Sequence, residues 1–465
     1  MRCRAARGHL RRTGGPARPA RPSVVPSRLD VPSMGAASSR GVLTTATEAQ
    51  AAPNTARPTR PQLPTSSLAP PNPAFPHPHH LVVLVHGIVG SPSNWSYITD
   101  ALRSRAGADG RGFAVLPSTS NSLERAGPRG TFEGVDVCGA RVAAEVRATV
   151  EEVQAARAAA GAPPLDRVSI LAHSMGGLVA RFAVGHLFEP GAGGGAPPTI
   201  AGLRPVAFTT IATPHAGCTG STASAAGVPL VRWLRPPAAL AAALDRPVAA
   251  SMGRTGRQFF LRDGGSLSAG RGASQAPPPL LVRMARESPG DLPFLPALAA
   301  FAARACFANS SGDHLVGWSN ASLRYTDELP DLLRGVPGGK GVVLDTGLES
   351  GFRAPTPATP SGHRAGEAAE AAAPTGPGAS RAEREEVVAI LEGLRSLPWR
   401  RVDVCYRGTW HRGAAAHNLI QVTRLWCRWL DPDAGAAEAV CDGLVEVDQE
   451  VLRGQEAAGD GRAGG

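Results

Sequence analysis

Residues 167–178 read Arg167-Val168-Ser169-Ile170-Leu171-Ala172-His173-Ser174-Met175-Gly176-Gly177-Leu178, and their order decides the fold. The apolar run Val168 to Leu171 predicts a buried strand, and Leu178-Val179-Ala180-Arg181-Phe182 predicts a helix. Between them stand a serine and two glycines, too few residues for an ordinary loop. A strand that turns this sharply into a helix holds its serine in strained backbone geometry and lifts the hydroxyl above the sheet. The elements can pack only if their neighbours at the turn are small. Here the pattern is Ala172-x-Ser174-x-Gly176, with alanine where a glycine is usual. So short a pattern recurs by chance, and Ser174 as a plain helix N-cap is the competing reading. The surroundings separate the two.

Upstream, Leu81-Val82-Val83-Leu84-Val85 is an apolar run of the kind buried on both faces in a parallel sheet. It ends in His86-Gly87-Ile88-Val89-Gly90, and a helical pattern follows through Ile98, Leu102 and Arg105. Phe113 to Leu116 predicts a second strand. Val135 to Ala159 predicts a long amphipathic helix, with Val142, Val146, Val150 and Val153 on one face. Downstream, strands are expected over Val206–Ile211, Arg304–Ala308 and Arg401–Tyr406. Strands alternating with helices imply right-handed crossovers and an α/β fold with a mainly parallel central sheet flanked by helices.

Residues 76–453 are expected to form the folded domain. Residues 217–300 interrupt the alternation with apolar clusters (Val228–Leu234, Phe259-Phe260-Leu261) and read as a cap or lid. Residues 351–380 are a Pro/Ala/Gly/Ser tract expected to be a disordered insertion, and 454–465 a disordered tail. The leader, residues 1–75, holds eleven arginines against only Asp30 and Glu48, so it carries nine of the ten net positive charges. Its composition fits a chloroplast or mitochondrial transit peptide, and equally a disordered tail. The near-neutral remainder lacks the basic, aromatic-interleaved surface of a nucleic-acid binder.

Seven dispersed cysteines without a C-x-x-C pair argue for reduced thiols in an intracellular compartment, and against zinc. No apolar run is long enough to span a membrane, and residues 1–30 lack the core of a secretory signal.

A serine hydroxyl needs a positioned base, and the base needs an orienting acid. In a sheet of this kind the order is serine, acid, histidine. Asp313 follows the strand Arg304–Ala308, at the carboxyl end where such sites form. Asp263 is the rival acid, though no clear strand delivers it. The last strand leads to His411 and His417, both in position to serve as base, with His417 favoured and read as opening a helix from Leu419. His86, His173 and His314 read as structural. An oxyanion needs preorganised donors, expected from the backbone N–H groups of Ile88 and Met175, with Gly87 allowing close approach. Ser174 and these partners need no metal or organic cofactor.

Together, Leu81–Gly90, Gly134-Val135-Asp136 with Gly139, Ala172–Gly177, Thr210–His215, Gly312–Trp318 and Ala416–Val422 resemble the DUF676 serine esterase/lipase family, especially its plant and algal members. The resemblance spans roughly 80–430. It implies an α/β-hydrolase fold and carboxylic-ester hydrolysis, with Ser174, Asp313 and His417 matching nucleophile, acid and base. It also implies an acyl pocket lined by Gly87, Val89, Thr213 and Pro214, to which Trp233 and Phe259 of the cap are candidates to add contacts. The expected substrate is a lipid, either an acylglycerol or a phospholipid, met at a membrane or lipid-droplet surface. Acyl transfer or thioester cleavage on the same residues, and a non-catalytic scaffold, are the alternatives.

Overall fold

The computed structural model describes residues 68–191, 196–218, 247, 249–265, 276–330, 342–345, 367–373, 379–406 and 410–463. Trp233, most of the leader and residues 351–366 lie outside them. The strands are β1 His80–Val85, β2 Phe113–Pro117, β3 Arg167–His173, β4 Phe188–Glu189, β5 Thr199–Ile200, β6 Arg204–Ile211, β7 Ala303–Asn309, β8 Val342–Asp345 and β9 Arg400–Cys405. Seven of them form one sheet in the order β2-β1-β3-β6-β7-β9-β8, while β4 and β5 pair separately. Every neighbouring pair in the large sheet is parallel except β8 with β9, so an antiparallel edge strand closes a parallel sheet of six. The strand–helix alternation does not predict that edge strand. Its short apolar run lies beside a glycine-rich stretch and outside the strand–helix alternation.

Side-chain alternation along the strands divides the core into two layers. Leu81, Val83 and Val85 of β1 face the helices Val135–Ala160 and Gly176–Leu187; Val82 and Leu84 face the opposite layer with Ile98, Leu102, Val440 and Leu444. A sheet covered on both faces has no polar face, which is why its strands read as continuous apolar runs. Among the described residues no helix is long and apolar enough to cross a membrane. No disulfide forms there either, and Cys138, Cys218, Cys306, Cys405, Cys427 and Cys441 are all buried.

Four expectations change. Within 351–380, residues Glu367–Ala372 form a helix whose Ala369 and Ala372 are buried, so part of the tract belongs to the core. Alanine is both the best helix former and small enough for a tight interface, and composition alone hid this. The final helix runs Gly435–Ala463, past the expected domain end at 453. His417 lies in the last turn of a helix Trp410–Leu419 rather than opening one at Leu419. Phe259 and Phe260, read as an apolar cluster of a cap or lid, pack instead into the main hydrophobic core together with strand residues.

Below the sheet, at its amino edge, a fully buried polar cluster ties the final helix to the strands. His80 Nδ1 lies 2.8 Å from Asp448 Oδ1, and His80 Nε2 lies 2.8 Å from Ser169 Oγ. The Asp448 carboxylate also accepts from Arg167 (3.0 Å) and from the Ala108 N–H (2.9 Å).

Candidate active site

The elbow has the geometry its sequence implies. Ser174 has φ 55°, in the left-handed region, and its N–H donates to the Ile211 carbonyl (2.8 Å), tying the turn to β6. A Cβ on Gly176 would come within 2.3 Å of the Val85 carbonyl oxygen, so the helix after the turn can cross β1 only with hydrogen at that position. Ala172 needs no such exemption; its methyl is buried in the core with β3. Val89 (φ 51°) and Ala212 (φ 48°) are also left-handed, just beyond β1 and β6, the two neighbours of β3. Strain of this kind persists only where the surroundings hold it, and three of the eight left-handed non-glycine residues described follow the carboxyl ends of these three adjoining strands.

Asp313 follows β7 and His417 ends the helix after β9, and the two side chains converge on Ser174. His417 Nε2 lies 3.1 Å from Ser174 Oγ, and His417 Nδ1 lies 2.9 Å from Asp313 Oδ2. The carboxylate can only accept, so Nδ1 carries the proton and Nε2 is left to accept from the serine hydroxyl. Asp313 is anchored on four sides. Oδ1 accepts from the Leu315 and Val316 N–H groups (2.9 Å each), and Oδ2 accepts from Asn309 Nδ2 (2.8 Å) as well as from His417. Burial alone would raise the Asp313 pKa, but the facing imidazole and these donors hold it at about 2. The loop carrying it is pinned to β9 by Trp318, whose indole N–H donates to the buried Asp403 carboxylate (2.6 Å) alongside Arg324 (2.8 Å).

Behind His417 stands His173. Its Nε2 donates to the His417 carbonyl (2.9 Å), and the two rings lie 4.8 Å apart between centroids. Burial first, and the neighbouring His417 second, press the His173 pKa down to about 3, so the ring stays neutral. No local pattern in the chain marks this bond, because its acceptor is a main-chain oxygen 244 positions away. His86 is also buried, with Nδ1 donating to the Gly87 carbonyl (3.0 Å) and its pKa lowered by burial. His215 accepts through its carbonyl from the buried Arg181 of the elbow helix (3.1 Å), locking the Thr213-Pro214-His215 turn to that helix.

Acid sensitivity follows from these neutral histidines. In the unfolded chain histidine takes a proton near pH 6.5, whereas folded His173 resists until about pH 3. Protons therefore favour unfolding in that interval: the stabilisation is complete above pH 7 and is lost as pH falls. Between pH 7.5 and 5, His173 alone is expected to account for roughly 2 kcal/mol. His215 and His86, both lowered by burial, act in the same direction. Thermal melts across that range should show Tm level above pH 7 and falling below 6.5; a Tm constant down to pH 5 would contradict it.

The His86–Gly90 loop presses against the serine. A Cβ on Gly87 would sit 2.8 Å from Ser174 Cβ and 3.3 Å from its Oγ, so only glycine leaves space there. Within the loop the Val89 N–H donates to Thr131 Oγ1 (3.1 Å) and the Gly90 N–H to the Gly87 carbonyl (3.1 Å). Among the described residues, neither the Ile88 nor the Met175 N–H donates to a protein acceptor. Thr213 and Pro214 are buried beside the elbow helix, Val89 is 71 % exposed, and Phe259 receives the Cys218 N–H on its carbonyl at the edge of the core. The rival acid Asp263 instead accepts from the Leu280 N–H (3.1 Å). The side chain of His411 lies outside the described residues, as does Trp233. No cluster of three or more metal-ligating side chains occurs among the described residues.

Distances alone would nominate a second constellation, Ser169–His80–Asp448, whose hydrogen bonds are no longer than those around Ser174. Access separates the two. Ser169 is 0 % exposed and its Oγ already accepts from the Ala207 N–H (3.0 Å), whereas Ser174, at the carboxyl edge of the sheet, keeps 8 % of its surface exposed.

A parallel sheet covered by helices on both faces, with a strained serine on a strand-to-helix elbow at its carboxyl edge, is an α/β-hydrolase fold. The chain belongs to the DUF676 family, described as "Putative serine esterase", which matches residues 76–323. That span includes Ser174 and Asp313 and ends short of His417. The chain is also similar to a Schizosaccharomyces pombe protein named "Putative lipase C4A8.10", with 27 % identity over 164 residues. The aligned stretch is 35 % of this chain and 17 % of that relative, so this chain spans less than a fifth of the relative's length.

Proposed function

We propose that this protein hydrolyses carboxylic esters of lipids, acylglycerols or phospholipids, through an acyl-enzyme on Ser174. The observation that carries the reading is the unbroken hydrogen-bond chain from Ser174 Oγ through His417 to Asp313. Ser174 Oγ attacks the ester carbonyl as its proton passes to His417 Nε2, and the Asp313 carboxylate stabilises the imidazolium. The carbonyl oxygen, now carrying negative charge, is received by the N–H groups of Ile88 and Met175. Collapse breaks the ester C–O bond, and His417 returns the proton to the departing alkoxide. A water molecule then repeats the sequence on the acyl-enzyme, giving the carboxylic acid and free Ser174. Gly87, Val89 and the Thr213-Pro214 turn border the acyl group in this reading. The lipid part rests on the name of the yeast relative and on the lipase-like Ala212-Thr213-Pro214-His215 block. The arginine-rich leader supports delivery to a chloroplast or mitochondrion, which a fluorescent fusion of residues 1–75 tests.

A fluorophosphonate probe is expected to label the protein stoichiometrically, and Ser174→Ala to abolish the label while the circular dichroism spectrum stays the same. Labelling that survives this substitution would remove Ser174 from the chemistry. Assay of phospholipids, galactolipids and acylglycerols beside the same variant identifies the substrate class.

A further inference from the structure

The segment after His417 presents an apolar tip that the fold does not use. Leu425 is 90 % exposed, Trp429 85 % and Trp426 38 %, interleaved with the exposed Arg424 and Arg428. This exposure does not come from a loose loop. Val422 turns the chain at φ 57° and is buried, and Cys427, between the exposed residues, is fully buried. The Thr423 N–H and the Cys427 thiol both donate to the carbonyl of Asn418, the residue next to His417 (3.1 and 3.7 Å). Asn94 Nδ2, on the turn that follows the oxyanion loop, donates to the Thr423 carbonyl (3.3 Å). The tip is therefore braced between the helix that carries His417 and the Pro92–Trp95 turn that follows the His86–Gly90 loop.

We infer that the tip Arg424–Trp429 docks the protein on an anionic lipid surface and so holds the site against its substrate. The inference rests on the proposed lipid-ester reading and names the surface from which the substrate comes. Two features favour a membrane over a protein partner. Leu and Trp side chains interleaved with arginines match the headgroup boundary, where indole rings settle and cationic heads reach phosphate while their stems stay in apolar surroundings. The charge also has the sign that anionic headgroups attract, and among the described residues Arg424 forms no ion pair.

The test uses the full chain, sedimented with vesicles of phosphatidylcholine alone or mixed in equal parts with phosphatidylglycerol. Binding is expected on the mixed vesicles, weakened by salt, with a blue shift of tryptophan emission. Leu425→Ser/Trp429→Ser should weaken it at least about tenfold, since insertion scales with buried apolar area. Arg424→Gln should weaken it roughly fivefold, the weight of one cation near such a surface. Hydrolysis of a monomeric short-chain ester, measured on the same samples, reads the active site separately. Variants that keep this activity but lose vesicle binding support the inference. Wild-type protein that cleaves the soluble ester yet ignores both vesicles overturns the docking inference and leaves the proposed chemistry standing. Equal binding by wild type and the double variant overturns it too, as does a tip-dependent dimer in sedimentation velocity without vesicle binding. Soluble-ester activity absent from a protein that binds vesicles through the tip sinks the proposed chemistry instead.

Discussion

Ser174→Ala and His417→Ala are each expected to lower kcat on a soluble ester by on the order of a million-fold, and the double variant to lose little more than either single one. The reason is geometric. The hydroxyl and the imidazole share one proton across 3.1 Å, and neither does anything for the reaction without the other. Without His417 the serine keeps its proton; without Ser174 the imidazole has no nucleophile to serve. In the proposed mechanism, whatever rate survives comes from the donors at Ile88 and Met175 and from substrate binding, which all three variants retain. Kinetics of the two single variants and the double one close a thermodynamic cycle. Additive losses would show that the two side chains act in different steps, and a His417→Ala variant retaining a tenth of the activity would pass the role of base to His411.

Asp313→Asn is expected to cost about ten-thousand-fold in kcat with the fold intact. The two oxygens of Asp313 have unlike partners, and this decides how an asparagine would sit. Oδ1 lies between the Leu315 and Val316 N–H groups, which only an acceptor can satisfy, so the amide oxygen must take that place. The amide NH2 then replaces Oδ2, facing Asn309 Nδ2 and His417 Nδ1. Because NH2 donates, His417 must accept at Nδ1 and carry its proton on Nε2, directed at the serine it should deprotonate. The base is present but in the wrong tautomer. Raising the pH should not restore it, because the barrier is the tautomer and not a titration. A loss smaller than about tenfold would take the orienting role away from Asp313.

Much of this site was legible in the chain because its signals are local. An apolar run without polar alternation marks a strand covered on both faces, and a serine flanked by small residues between strand and helix leaves only one kind of turn. The order of serine, aspartate and histidine at successive strand ends then follows from a parallel sheet, whose crossovers return each strand to the same edge. Composition misled where a local signal had two meanings. The alanines of Glu367–Ala372 serve a buried helix as readily as a disordered tract, and β8 is too short to stand out.

The sequence by itself determined the parallel α/β architecture, the elbow and the strand ends from which catalytic groups could come, because periodicity and turn chemistry act over a few residues. Only the tertiary structure decided which groups meet: His417 reaches Ser174 across 243 positions and Asp313 across 104. It also decided that Ser169 is fully sealed while Ser174 keeps 8 % of its surface exposed, and that Leu425 and Trp429 face solvent while Phe259 and Phe260 do not. Contact and exposure depend on what lies across the fold, and no residue carries that in its own neighbourhood.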